Sequence, residues 1–232
     1  MGKWKKWLSA GLFTAMLGTA IIAGPTADVS ANAGNKPYNI ENVSPDAHLA
    51  PSVGDSSSKT SSKAWHKIDG VCYNGSGKKV EGAITRGMDV SEWQGKINWK
   101  EAKKDLDFAF VRISYGTRHL DDYYDYNMTE AEAADVPVGT YVYSLAKTNK
   151  EALAEAQLAI RQMQGHKVSY PVAFDLEDEA TLGTLTRKEI SQIALTFCDE
   201  IRKAGYTPIL YMNLNWYNNF VDWNVLEGSG LD

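Results

Sequence analysis

The sequence predicts an α/β fold built from parallel β/α units, and three observations predict it. From Thr85 onward short apolar runs alternate with polar stretches of helical length, helix-start signals recur between the runs, and glycines stand where the helices should stop. The apolar runs, read as strands, are 86–91, 108–114, 138–145, 171–176 and 207–212. Asn98 with Glu101, Thr148 with Glu151, and Thr186 with Glu189 have capping-box spacing, in which a short polar side chain takes a free N–H of the first helical turn and an acid three residues on reciprocates. Gly165 and Gly205 mark helix ends, because glycine adopts the left-handed conformation there without a Cβ clash.

Ahead of this region the composition changes twice. Lys3, Lys5 and Lys6 precede an apolar stretch, 8–23, and the small tripeptide Ala31-Asn32-Ala33, which is the pattern of a secretory signal peptide cleaved after residue 33. Ser9, Thr14, Gly18 and Thr19 dilute the stretch, and it is shorter than the roughly 20 apolar residues a membrane-spanning helix needs. Residues 34–63 are rich in Ser, Pro, Asn, Asp and Gly and read as a disordered linker. In 64–84, Val71-Cys72-Tyr73, the turn-forming Asn74-Gly75-Ser76-Gly77, and Lys78-Lys79-Val80 suggest a small hairpin. The expected organisation is therefore signal peptide, linker, hairpin, and a domain over 85–232.

Charge and cysteine content exclude some functions. The formal net charge is −5, and loss of 1–33 with three lysines and one aspartate takes it to −7, so nucleic acid is not expected as a partner. No membrane association is expected once the signal is removed. Cys72 and Cys198 could pair outside the cell or remain separate thiols, and two cysteines are too few for a disulfide framework. Stability must come from a core, for which 44% hydrophobic residues suffice.

The chemistry is concentrated in Val172-Ala173-Phe174-Asp175-Leu176-Glu177-Asp178, an apolar strand that ends in acids. Side chains two apart on a strand share a face, so Asp175 and Glu177 point one way and Phe174 and Leu176 the other. In a parallel barrel the apolar face meets the helices, while the other lines the mouth at the strand's C-terminal end, where barrel enzymes keep their chemistry. Asp89, between Met88 and Val90, repeats the arrangement on the first strand. Acids crowded into a partly desolvated mouth raise one another's pKa, and a carboxyl kept protonated can donate to a leaving oxygen, as glycoside cleavage requires. Packing or capping is the competing role, and it suits Asp178 and Glu179 at the start of a following helix.

Four segments resemble glycoside hydrolase family 25, the Chalaropsis-type N-acetylmuramidases. They are Arg86-Gly87-Met88-Asp89-Val90-Ser91-Glu92-Trp93-Gln94-Gly95, Phe110-Val111-Arg112-Ile113-Ser114-Tyr115-Gly116-Thr117, Val138-Gly139-Thr140-Tyr141-Val142-Tyr143-Ser144 and Ala173-Phe174-Asp175-Leu176-Glu177. The resemblance implies a TIM-like β/α barrel and cleavage of the β-1,4 bond between N-acetylmuramic acid and N-acetylglucosamine in peptidoglycan glycan strands, without a cofactor or metal. It implies Glu177 as general acid and base, Asp175 as its partner, and Asp89 as a carboxylate at the floor of the site. It also places Tyr143 in the groove, which Tyr115 and Tyr211, near strand ends, could join. Tyr123, Tyr124, Tyr126, Trp99 and Trp223 read as packing residues, and His119 and His166 as surface residues.

Family barrels have eight strands and five are legible here, so the domain is expected to be C-terminally incomplete, with the outer edge of the first strand open. The alternative to a hydrolase is a secreted protein that binds wall glycan without cleaving it. The expected location is extracellular or in the cell wall, and the expected source a Gram-positive bacterium. If 34–63 is a solvated arm, its deletion leaves the thermal midpoint of the remaining domain unchanged in calorimetry, whereas a fall of many degrees would show that it packs.

Overall fold

The structure, a computed structural model, describes residues 21–23, 66–74 and 77–231. Apart from 21–23, the expected signal peptide and linker lie outside the described residues. In chain order the elements are β1 (Ile21–Ala23), β2 (His66–Ile68), β3 (Val71–Tyr73), β4 (Ala83–Val90), α1 (Trp99–Ala102), β5 (Phe108–Tyr115), β6 (His119–Leu120) and α2 (Tyr124–Ala133). There follow β7 (Val138–Tyr143), α3 (Asn149–Met163), β8 (Val172–Asp175), α4 (Glu179–Leu182), α5 (Arg187–Lys203), β9 (Pro208–Tyr211), α6 (Leu214–Asn219) and α7 (Trp223–Leu226).

The five expected strands form one parallel sheet in the order β4-β5-β7-β8-β9, curled into a half-barrel. Side-chain alternation decides what each face meets. Met88 and Val90, Ala109, Val111 and Ile113, Val138 and Val142, and Val172 and Phe174 all enter one core with the buried residues of α2, α3 and α5. Phe197 of α5 stacks on Phe174 with ring centroids 4.2 Å apart. Each large apolar side chain so buried contributes roughly 1.5–3 kcal/mol.

On the inner face Phe108 and Phe110 meet Tyr170, which stacks on Phe108 at 5.0 Å, and together they fill the bottom of the half-barrel. Two glycines make room for them. A Cβ on Gly87 would lie 2.2 Å from the Phe108 ring, and one on Gly139 would lie 2.5 Å from the Pro171 carbonyl oxygen and 2.7 Å from Phe110.

The helix signals hold, with refinements. Asn98, Thr148 and Thr186 all accept an N–H from the residue three positions on. The reciprocal bond of a full capping box forms at Thr186; Glu151 instead takes the N–H of Lys147. Gly165 and Gly205 follow the ends of α3 and α5 with φ of 88° and 91°. The N-terminal hairpin turns earlier than expected, at Asp69-Gly70, where both residues have positive φ as a tight two-residue turn requires. The Asn74 turn follows it and is closed by a Tyr73–Lys79 bridge, with Asn74 N–H donating to Lys78 O and Val80 N–H to Cys72 O, both at 2.9 Å. Lys67 ties the hairpin to the barrel through Asp107, 2.9 Å away, whose carboxylate also accepts the Arg86 N–H at 2.7 Å. Cys72 and Cys198 are both buried and unpaired.

The edge expectation is corrected in part. Ile21–Ala23 pairs antiparallel with the first half of β4, Ile21 opposite Arg86, but it falls within the expected signal peptide, so this edge is covered only while that segment is attached.

Glu155 is the buried acid of α3. Its carboxylate accepts Ser144 Oγ at 2.8 Å and the Leu145 N–H at 3.0 Å, which fixes the chain as it leaves β7. Burial raises its pKa to about 7, against the lowering effect of those two donors. A folded-state pKa above the unfolded value means that stability is fully present below about pH 4.5 and is lost as pH rises through about 7. The chain should therefore be more stable at about pH 5 than at about pH 8, with Glu155 contributing roughly 2–3 kcal/mol of the difference. Urea melts at the two pH values check this: Glu155→Gln removes roughly 2–3 kcal/mol of the difference if the assignment is right and leaves it intact if it is wrong.

Candidate active site

The strand ends bring the predicted acids together. Backbone pairing continues beyond β8, with Leu176 N–H donating to Tyr211 O at 2.9 Å and Ser144 N–H to Asp175 O at 3.0 Å. Phe174 and Leu176 are fully buried on the helix side. Asp175 and Glu177 thus turn to the inner face, where Asp89 stands at the end of β4. Desolvation first, then the charges of Glu177 and Asp89, push the Asp175 pKa well above the carboxylate range, while Arg112 opposes. Asp89 is raised by burial. Glu177 is raised by burial and by Asp89, against hydrogen bonds from the side chain and backbone of Asn213. Asp175 is 7% exposed, and its Oδ1 has no hydrogen-bond partner among the described residues.

The tyrosines close around these acids. Tyr143 lies opposite Asp175 in the sheet register, and Asp175 opposite Tyr211. Burial and then the neighbouring carboxylates raise both phenols, which therefore remain neutral O–H groups. Tyr115 stacks on Tyr143 at 4.8 Å and donates to Asp178 at 3.1 Å. The six residues singled out in the sequence accordingly share one mouth, Tyr115 at its outer rim. Asp178 caps α4 by accepting the Thr181 N–H at 2.7 Å, as expected, and Glu179 opens that helix. Trp99 and Tyr124 are buried in the core; His119 is exposed, but His166 is half-buried against Tyr124.

Three contributors were not singled out in the sequence. Tyr141, on the same face as Tyr143, is raised by burial and then by Asp89 and Asp175, and two-residue spacing could have found it. Asn213 caps α6 with its side-chain oxygen, accepting the Trp216 N–H at 3.1 Å, and its amide serves Glu177. A cap and a site residue look alike in sequence. Arg112, buried, is paired with Glu92 at 2.8 Å and with Asp121 at 2.9 Å. Among the described residues, no group of three or more His, Cys, Asp or Glu side chains is arranged to hold a metal.

The profile of glycosyl hydrolases family 25 matches residues 88–229, from β4 past α7, which is well over half of the chain. The protein belongs to family 25. Among curated proteins this family 25 chain is 26% identical over 139 residues to the uncharacterized protein YegX of Escherichia coli, covering 57% of this chain and 49% of that one. It is 38% identical over 60 residues to lysozyme M1 of Streptomyces globisporus, covering 25% of this chain and 20% of that one. In fold it is similar to the modular autolysin LytC of Streptococcus pneumoniae, with TM-score 0.56 and 22% identity over 72% of this chain and 41% of that one. LytC has also been solved in complex with a synthetic peptidoglycan ligand. The family 25 chain spans about half the length of YegX.

Proposed function

We propose that the protein is a secreted peptidoglycan hydrolase, a lysozyme-type N-acetylmuramidase that cleaves the β-1,4 bond between N-acetylmuramic acid and N-acetylglucosamine. The observation that carries this reading is the cluster of Asp89, Asp175 and Glu177, whose mutual repulsion and desolvation favour retention of a proton near neutrality. Family membership, the lysozyme M1 likeness and the peptidoglycan-bound LytC support the choice of substrate. The sequence pattern of 1–33 supports secretion, and a wall-lytic domain behind a long signal peptide and a Ser-rich arm suggests a Gram-positive source.

Each role follows from position. Glu177, held by Asn213 and more open than Asp175, is the proton donor: its O–H protonates the glycosidic oxygen as the bond to the anomeric carbon breaks. The pair of electrons leaves with that oxygen, and the sugar carbon becomes positively charged. Asp175 faces this charge, and its unpartnered Oδ1 suits the N–H of the sugar's acetamido group, which it would orient. Water then delivers hydroxide to the carbon and its remaining proton to Glu177, restoring the acid. Asp89 keeps negative potential beneath the site, and the neutral phenols of Tyr143 and Tyr211 are hydrogen-bond donors for sugar hydroxyls.

Release of new reducing ends from purified cell walls tests the reading. Glu177→Gln should lower the rate by at least about 100-fold with unchanged far-ultraviolet dichroism, because it removes the proton donor without changing shape. Full activity in that variant contradicts the mechanism, and wall binding with no release by the parent chain favours the non-catalytic alternative. Asn213→Ala removes one of the donors that hold the Glu177 pKa down. The limb of the pH–rate profile that reports loss of the Glu177 proton should move to higher pH, at a cost of about 1 kcal/mol for the lost cap. An unmoved limb would show that Asn213 does not act on Glu177.

A further inference from the structure

Four of the seven exposed large apolar side chains among the described residues lie at the mouth, whereas Ile68 and Ile84 lie on the hairpin and at the start of β4. Trp93, Tyr115, Leu120 and Leu214 each follow or end a strand on the side where the acids lie, and Trp93 is the most exposed of them at 59%. The other tryptophans of this half-barrel behave differently: Trp99 and Trp216 are buried, and Trp223 packs against the core.

Trp93 is also held rigidly. It is the middle residue of a single 3-10 turn, Glu92–Gln94, capped by Ser91, whose N–H donates to Gln94 Oε1 at 2.8 Å while the Trp93 N–H reaches Ser91 Oγ at 3.4 Å. The turn is pinned to the barrel by charge. Glu92 pairs with buried Arg112 at 2.8 Å and with His119 at 2.8 Å, and its N–H donates to Asp121 at 2.8 Å. Asp121 in turn accepts from Arg112 and from the Tyr123 N–H. Glu92 and Gln94 are thus both engaged inward, which leaves the indole between them facing solvent. A buried ion network is an expensive way to place one turn, and an exposed indole gains nothing from it in packing.

Its location gives it a use. His119, which binds Glu92, pairs across the β5–β6 hairpin with Tyr115, and Tyr115 stacks on Tyr143 above Asp175. The turn therefore prolongs an aromatic line that runs outward from the acids through Tyr143 and Tyr115. A pyranose ring has an apolar C–H face that stacks on aromatic rings, and a fixed ring binds it without ordering cost.

We propose that Trp93 is an outer sugar-binding platform, which stacks on a pyranose ring of the same glycan strand beyond the ring held at the acids. This rests on the glycan-cleaving reading for the identity of the ligand. It predicts preference for long strands over short ones, since only a long strand reaches from the acids to the turn.

The test uses the full chain carrying Glu177→Gln, so that ligand survives, and calorimetric titration with the hexamer and dimer of β-1,4-linked N-acetylglucosamine. Trp93→Ala should reduce the affinity advantage of the hexamer over the dimer about tenfold, and Trp93→Phe should restore most of it, with unchanged dichroism in both. An advantage that stays within about twofold in Trp93→Ala overturns the platform. A parallel reducing-end assay on the chain with Glu177 intact keeps the two claims separate. A Trp93-dependent advantage with no cleavage upholds the platform and removes the hydrolase reading, whereas Glu177-dependent cleavage with an advantage indifferent to Trp93 removes only the platform.

Discussion

The two-residue repeat along five parallel strands is the constraint on which the rest of the structure depends. Burying Phe174 and Leu176 against α5 and its neighbours obliges Asp175 and Glu177 to face inward, and burying Met88 and Val90 does the same to Asp89. A slip of one residue would send the acids into the apolar core and the phenylalanine into the mouth, so the core fixes the register of the site. The price of crowded, desolvated acids is met by a continuous apolar layer on the other face of the same strands.

Proton retention follows from where the positive charge has gone. Arg112 is the cation that acts on Asp175, but Glu92 and Asp121 hold its guanidinium at 2.8 and 2.9 Å. It cannot also neutralise three further carboxylates. The alternatives are solvation, which burial denies, or a bound proton. The surrounding phenols of Tyr141, Tyr143 and Tyr211 fit this economy of charge, because burial keeps them neutral and able to donate. Below the acids the Phe108, Phe110 and Tyr170 rings fill the half-barrel where Gly87 and Gly139 leave space, so the mouth has an apolar floor.

What was legible in the sequence was periodic or carried by a short-range signal. The strands were readable because each is an apolar run with alternation, and helix starts and stops because Thr186, Asn98, Gly165 and Gly205 act within one turn. Their ends shifted by a few residues; the first strand begins at Ala83, three residues before the apolar run that marks it. The hairpin turn was displaced because Asp69-Gly70 and Asn74-Gly75 are both turn pairs and only the three-dimensional pairing selects between them. Asp89, Asp175 and Glu177 could be found because strand ends carry them, and the family resemblance named the tyrosines. Asn213 and Arg112 could not, since one looks like a helix cap and the other like an interior strand residue until Glu177, Glu92 and Asp121 are brought beside them.

The central claim is that the three carboxyls cannot all ionise near neutrality. Carbon-13 NMR of their side-chain carboxyls, followed from acid to alkaline pH and assigned by single Asp→Asn and Glu→Gln variants, measures this directly. The account predicts interdependent titrations, with at least one proton retained at about pH 6 and the remaining steps shifted when any one of the three acids is removed. Three independent titrations in the ordinary carboxylate range, complete by about pH 5, would contradict it.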